Sequence, residues 1–306
     1  MKAKKKRHVS DGYTKSEKIS GYGFVLPATV FLLLIVIFPL VYNISMSFRE
    51  VTLDTLNGNQ AFIGLQNYKE VLMMPMVRKA IFNTIFFTVM SILFQFIIGF
   101  ALALLFSKNF RLSNASRGLL MVCWLVPAIV FSSVWKWIFA GDGSGILNYF
   151  LMQLHLIDAP VSWLTTERGA MAALIITNIW RGVPFNMLLL ATGLTTLPEE
   201  VFESASIDGA SEVKSFFYIT LPLLKPTILS VITLGFIYTF KAFDLIYIMT
   251  NGGPLNSTQI LATASYKLTF SNFELGQGAA VANIMLLILS VIGYLNLKLM
   301  EKDEVM

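Results

Sequence analysis

Charge is what this sequence has least of. Only 13% of its 306 residues are Asp, Glu, Lys or Arg, against 56% hydrophobic, whereas ordinary globular domains carry about 25% charged residues. A soluble fold of this length could not hide so much apolar surface, so the composition points to an integral membrane protein. Cysteine is nearly missing too: Cys123 stands alone inside an apolar run, which excludes an intramolecular disulfide. Of the two histidines, His8 lies in the N-terminal tail and His155 in a connection. Neither has a partner at metal-ligand spacing and no HExxH occurs, so no metal site is expected. No GxxxxGK[ST] phosphate loop is present, so the chain cannot itself be an ATPase. The run GDGSG at 141–145 fits neither GxSxG nor GxGxxG and reads as a flexible outer turn. Internal repeats, low-complexity linkers and a second soluble domain are also lacking, and no catalytic residue is expected.

What is present is helix-length apolar sequence. Crossing about 30 Å of hydrocarbon takes about 20 apolar residues, and six stretches qualify, near 24–47, 80–106, 118–139, 170–194, 227–249 and 279–299. None alternates with period two, so helices are the way to satisfy the backbone in lipid. The expectation is an all-α integral membrane protein with six transmembrane helices. A basic tail (1–22) precedes the membrane domain (23–300), and a short tail (301–306) follows it. The first run is too long for a signal-peptide core and is read as a retained helix. The segment GILNYFLMQLHLI (145–157) is apolar but short, and reads as an interfacial or re-entrant helix.

Orientation comes from lysine and arginine. Much of the +5 net charge sits in the tail MKAKKKRHVSDGYTKSEK, directly before a hydrophobic run, where it is a topology signal before it is a nucleic-acid patch. With the N-terminus inside, the tail, Lys108, Arg111, Arg117, Lys214, Lys225, Lys298 and Lys302 all fall inside. Arg49, Lys69, Arg78, Lys79, Arg168 and Lys267 fall outside. Both termini are therefore expected in the cytoplasm. Trp135 and Trp137 flank Lys136 at the expected outer end of the third helix, placing it at the headgroups.

Between the fourth and fifth stretches lies a loop, 196–226, with the largest group of acidic residues in the chain. Pro198 suits a helix start, and Glu199 and Glu200 complement the dipole of its first turn. Leu197, Val201 and Ala205 form one apolar stripe. Asp208-Gly209 breaks the helix, Gly209 supplying a positive φ. Ser211 can cap a second short helix carrying Val213, Phe216, Phe217 and Tyr218, and Pro222 and Pro226 bend the chain as it re-enters the membrane. An amphipathic helix-Gly-helix rimmed with carboxylates on the cytoplasmic side is a docking knob for a grooved, basic partner. A helix lying on the bilayer is the bland alternative, and five acidic residues on an anionic leaflet oppose it.

Glu203, Ala205, Asp208, Gly209, Ala210, Phe216, Leu221, Pro222 and Pro226 resemble the EAA signature of binding-protein-dependent ABC importer permeases. Ser204 replaces an alanine of the usual EAAxxDGA. The stretches FIGLQNYKEVL (62–72), NTIFFT (83–88), 145–200 and FKAFDLIYIMTNGGP (240–254) resemble the maltose/multiple-sugar branch, and TNGGP looks more like its F-type half. The resemblance implies a type I ABC importer permease fold (MetI-like) in the bacterial cytoplasmic membrane. It also implies that those loop residues dock on an ATPase. The implied partners are a G-type second permease subunit, two ATPase subunits and an extracytoplasmic sugar-binding protein. No cofactor is expected on this chain, and ATP with magnesium belongs to the ATPases.

Charged groups inside a bilayer usually face a cavity or a partner. Arg181 falls midway along the fourth helix, and Lys241 and Asp244, at i, i+3 in the fifth, can pair on one face. Gly182 and Pro184 would break the helix beside Arg181 and expose backbone to a cavity. Asn83, Gln95, Asn178, Asn186 and Asn283 add neutral hydrogen-bonding groups. The competing reading makes the amides interhelical glue and Lys241–Asp244 a self-neutralising pair at an interface. A second functional class also fits: an autonomous carrier or channel using Arg181, Lys241 and Asp244 for ion coupling.

Overall fold

The computed structural model describes residues 15–56, 58–108 and 111–304. The basic residues of the tail up to position 14 lie outside them. The described residues are helical, with two isolated antiparallel bridges, Arg49–Phe62 and Thr52–Glu274, and no strand among them. In chain order, α1 comprises Lys15–Leu32, a π-helical turn at Leu33–Ile37, and Phe38–Ser47. It is followed by α2 (Gln66–Met73), α3 (Pro75–Ser107), α4 (Ser113–Leu125), α5 (Ala128–Ile138) and α6 (Ile146–Gln153). The long α7 (Glu167–Thr195) leads to α8 (Glu199–Ile207) and α9, which runs Glu212–Phe240 through a π-helical turn at Phe216–Thr220. The chain closes with α10 (Asp244–Met249), α11 (Leu261–Tyr266) and α12 (Leu275–Glu304). Five helices are individually long and apolar enough to cross a bilayer: α1, α3, α7, α9 and α12.

The third expected span, 118–139, is not one helix. It splits into α4 and α5, which meet at 98° and together make the sixth candidate span. Pro127 is the cause: it has no N–H to give the helix, and its ring drives the preceding residue out of the helical region. Val126 sits at φ −64°, ψ 133°. The bend turns Trp135 inward against Phe131, Phe139 and Trp180, at 6.1, 5.7 and 6.1 Å between ring centroids. Lys136 donates to the Ile248 carbonyl at 3.0 Å, which gives its ammonium a protein acceptor beside the expected headgroups.

The fifth expected span, 227–249, is wrong at both ends. Its helix starts earlier, at Glu212, so the second arm of the acidic loop is the inner end of the spanning helix itself. Pro222 does not break it. The π-turn widens the helix at the residues where the proline ring would meet the preceding turn. The helix then stops at Phe240, and Lys241, Ala242 and Phe243 are not helical before α10 begins. Lys241 and Asp244 consequently do not share a helix face.

α3 and α7 form the centre of the bundle. Between helices in lipid there is no hydrophobic drive, so close approach depends on small residues. Gly99 of α3 lies so near α7 that a Cβ there would come 2.7 Å from the Asn186 Cβ and 3.2 Å from the Met187 amide. In the opposite direction, Gly182 of α7 accommodates the side chain of Gln95. Gly182 therefore packs rather than breaks, and α7 continues through Pro184.

Two asparagines fasten the outer side. Asn83 donates to the Ser257 and Gln259 carbonyls at 2.8 and 2.9 Å, and Thr84 Oγ1 accepts from Leu261 N. These bonds hold the buried connection between α10 and α11 against α3. Asn67 of α2 donates to the Ser47 and Arg49 carbonyls, while Tyr68 meets Ser47 Oγ at 2.7 Å and receives a 3.3 Å bond from Asn283. The apolar segment at 145–157 forms the short α6. Asn148 locks it by bonding the Ala140 and Val161 carbonyls and accepting from Trp163 Nε1.

Candidate functional site

A cavity of about 260 Å³ opens between α3, α4, α7 and the non-helical turn after α9. Its polar lining comes from Gln95, Asn178, Asn186 and Thr239. Gln95 Nε2 donates to the Asn178 carbonyl at 2.9 Å, and Asn178 Nδ2 reaches Thr239 Oγ1 at 3.5 Å. Asn186 donates to the Gly182 carbonyl one turn back in its own helix. Pro184 offers no N–H to the carbonyl one turn behind it, leaving Trp180 without its usual intrahelical donor.

Three charged residues line the same cavity: Arg181, Lys241 and Asp244. None of them forms an ion pair among the described residues, whereas Lys79 and Glu167, outside the cavity, pair at 3.3 Å. The expected Lys241–Asp244 pairing is thus corrected, because the helix ends between them. Lys241 instead places its ammonium 5.4 Å from the centroid of the Tyr238 ring.

The walls are aromatic. Trp124 stacks on Phe185 (5.4 Å, 16°), and Phe185 meets Tyr238 edge-on (5.9 Å, 85°); Phe243 adds a fourth ring. These four were not among the expected site residues, yet in sequence Phe185 and Tyr238 stand four and three positions from Arg181 and Lys241, the spacing of one helical turn. That spacing is the signal that would have found them. Asn83 and Asn283 do not line the cavity; both spend their amide groups on the joints described above. Among the described residues no cluster of His, Cys, Asp and Glu could hold a metal. The arrangement is one of binding surfaces, with hydrogen-bonding groups and aromatic rings lining a common space.

At the other end of α9 sits the knob. Pro198 precedes α8, and Glu199 and Glu200 occupy its first turn. The helix ends on Gly209 at φ +77°. Ala210 N bonds the Ala205 carbonyl at 2.9 Å and Gly209 N the Ser206 carbonyl at 3.1 Å, the paired bonds of a Schellman stop. Ser211 Oγ then accepts from Lys214 N to start α9. Glu203, Ser204 and Asp208 are exposed, while Ala205 and Ala210 are half-buried. Phe216 parts from Val213, Phe217 and Tyr218, with which it was expected to make one bulky face, and packs inward. Its ring packs 5.6 Å from Phe100 and anchors the knob to α3, together with Leu221 and Leu224. Of the two prolines, Pro222 opens the helical run after the π-turn and Pro226 lies inside it. Ile207 and Tyr218 are the most exposed large apolar side chains of the knob, at 87% and 80%; Ile207 lay outside the stripe that periodicity suggested.

Residues 95–303 match the family described as the binding-protein-dependent transport system inner membrane component. The chain is 30% identical over 285 residues to the trehalose/maltose transport system permease protein MalF of Thermococcus litoralis, covering 92% of this chain and 95% of that one. It is 33% identical over 259 residues to the sulfoquinovosyl glycerol transport system permease protein SmoG of Agrobacterium fabrum, covering 85% and 83%. In structure it aligns with a bacterial ABC transporter involved in the import of the acidic polysaccharide alginate. There the TM-score is 0.77 and the identity 20%, over 92% of this chain and 96% of that chain. The chain belongs to the binding-protein-dependent transport system inner membrane component family, and its fold is that of the ABC importer permeases. It is a multi-pass permease component of the cytoplasmic membrane.

Proposed function

We propose that this permease forms half of the path for a carbohydrate in an ATP-driven importer, and that the solute passes through the cavity around Arg181. The observation that carries the reading is the lining of that cavity. The rings of Trp124, Phe185, Tyr238 and Phe243 line it together with the amides of Gln95, Asn178 and Asn186. Polyhydroxylated rings present C–H faces to aromatic surfaces and hydroxyls to amides, and sites for small solutes combine an apolar lining with a few placed polar groups. Relatives named for trehalose/maltose, sulfoquinovosyl glycerol and diacetylchitobiose uptake support the same class.

The knob is the second half of the proposal. Glu203, Ser204, Ala205, Asp208, Gly209 and Ala210 form the element that enters a cleft on a separate ATPase subunit, where ATP and magnesium bind. Phe216, Leu221, Pro222 and Pro226 set it on its stem. Because α9 is continuous from Glu212 to Phe240, a push on the knob moves Tyr238 and Thr239 as one body, a rigid-body route from nucleotide to solute. A G-type second permease subunit covers the open side of the cavity and the apolar length of α1. An extracytoplasmic sugar-binding protein delivers the cargo. What weighs against an autonomous carrier or channel is the match to the binding-protein-dependent importer family, since Arg181, Lys241 and Asp244 all still line the cavity.

The test is reconstitution. Proteoliposomes holding this chain, its second permease half and the ATPase should take up radiolabelled sugar only with binding protein outside and ATP inside. Uptake by this chain alone would overturn the proposal.

A further inference from the structure

A second cleft, about 710 Å³, lies away from the solute cavity. It runs between α3 and α7 on an open face of this chain. Its length is apolar: Phe82, Phe86, Met90 and Phe94 on one side, with Ala172, Ile176 and neighbours on the other. Polar groups gather only at one end, which the lysine and arginine bias makes the outer end. Lys79 and Glu167 pair there, and Arg168 beside them is exposed with no partner among the described residues. One turn deeper, at the level of Asn83, Ser257 lines the cleft. It is 5% exposed, and its Oγ is buried without a hydrogen-bond partner.

That order is the order of a phospholipid. A guanidinium suits a phosphodiester, and a buried hydroxyl with no acceptor suits an ester carbonyl just below it. Beneath them, an apolar channel suits an acyl chain. From Lys79 to Phe94 the helix descends about 22 Å at about 1.5 Å per residue, which takes it from the headgroups past the middle of a core about 30 Å thick.

We propose that this cleft is a binding site for one outer-leaflet anionic phospholipid, its phosphate on Arg168, an ester carbonyl on Ser257 Oγ and one acyl chain between α3 and α7. Because α3 and α7 also frame the solute cavity, the lipid would brace the pair that the cavity is built on. The proposal does not depend on what the cavity transports.

The experiment is native mass spectrometry of the purified importer complex, delipidated and then supplied with phosphatidylglycerol or phosphatidylcholine. One phosphatidylglycerol per permease chain should be retained in preference to phosphatidylcholine. Arg168→Gln should lower that retention about fivefold, the size of one basic contact to an anionic lipid. Ala172→Phe, at an exposed position facing the cleft, should abolish it by filling the channel. Should Ala172→Phe fail to assemble, Arg168→Gln alone decides. Equal retention of both lipids, retention unchanged in Arg168→Gln, or a cysteine at position 172 cross-linking to the second permease subunit would each overturn the site.

Discussion

α1 and α7 are both long enough to cross a bilayer, but they stand in opposite relation to the rest of the chain. α1 is the most apolar of the candidate spans, and none of its most apolar window is buried. α7 is the least apolar, and more than half of its window is buried. In water the ranking would be reversed, since burial would follow hydrophobicity. In lipid the apolar face has no reason to leave its solvent. What goes inside are amides, hydroxyls and glycines that need partners or permit contact. The knob repeats α1's condition in water, with an exposed apolar tip rimmed by acid. One closed pair of helices thus frames the cavity, and two regions, α1 and the knob, are left uncovered by the rest of this chain.

The largest expected effect breaks the closed pair. Gly99→Leu puts a branched side chain where even a Cβ meets the Asn186 Cβ at 2.7 Å and lies close to the α7 backbone. Overpacking of this kind costs about 1–3 kcal/mol or more. The variant should give no monodisperse peak in fluorescence-detected size exclusion. A normal peak would show that α3 and α7 can part, and the contrast with α1 would lose its meaning.

Gly209→Val comes next, and it acts on an exposed region. A β-branched residue at φ +77° cannot keep the Schellman stop without strain. The amount of inserted chain should be unchanged while ATP-driven uptake drops about tenfold, within the range of ordinary coupling energies. Uptake at the wild-type rate would remove the lever.

How much of this was readable beforehand depended on range. Hydrophobic length and the Asp208-Gly209 break are local signals, and both were legible. So was the Ser211 cap. The bend at Pro127 was equally local but was hidden by the unbroken apolarity of 118–139. The π-turn at Phe216–Thr220, which lets Pro222 sit in a continuous helix, depends on Phe216 packing on Phe100, a contact more than a hundred residues apart in sequence. Asn83 illustrates the limit best. Its residue type suited either a solute or a carbonyl, and the carbonyls of Ser257 and Gln259 that claim it are 174 and 176 residues away. No periodicity carries that information.

Smaller effects sharpen the picture of the cavity. Tyr238→Leu removes a ring that meets Phe185 and lies under the Lys241 ammonium. A contact of that kind contributes about 0.5–2 kcal/mol, so the apparent KM for uptake should rise several-fold while Tyr238→Phe stays near wild type. Lys241→Gln and Asp244→Asn should act independently in uptake, with a double-mutant coupling below about 0.5 kcal/mol. A larger coupling would mean that the two charges pair in the working complex.

The smallest expected effect on the chain itself falls on α1. Leu34 is 61% exposed, so Leu34→Ala removes no packing within this chain and should shift its thermal stability by no more than a surface substitution does, about 0.5 kcal/mol. The same substitution should weaken co-purification with the second permease subunit, because a side chain that is neutral at home can be a contact abroad. The two measurements together separate lipid from protein as the neighbour of α1. A loss of stability in the isolated chain would mean that α1 folds back on its own bundle, and unchanged co-purification would mean that lipid alone surrounds this part of it.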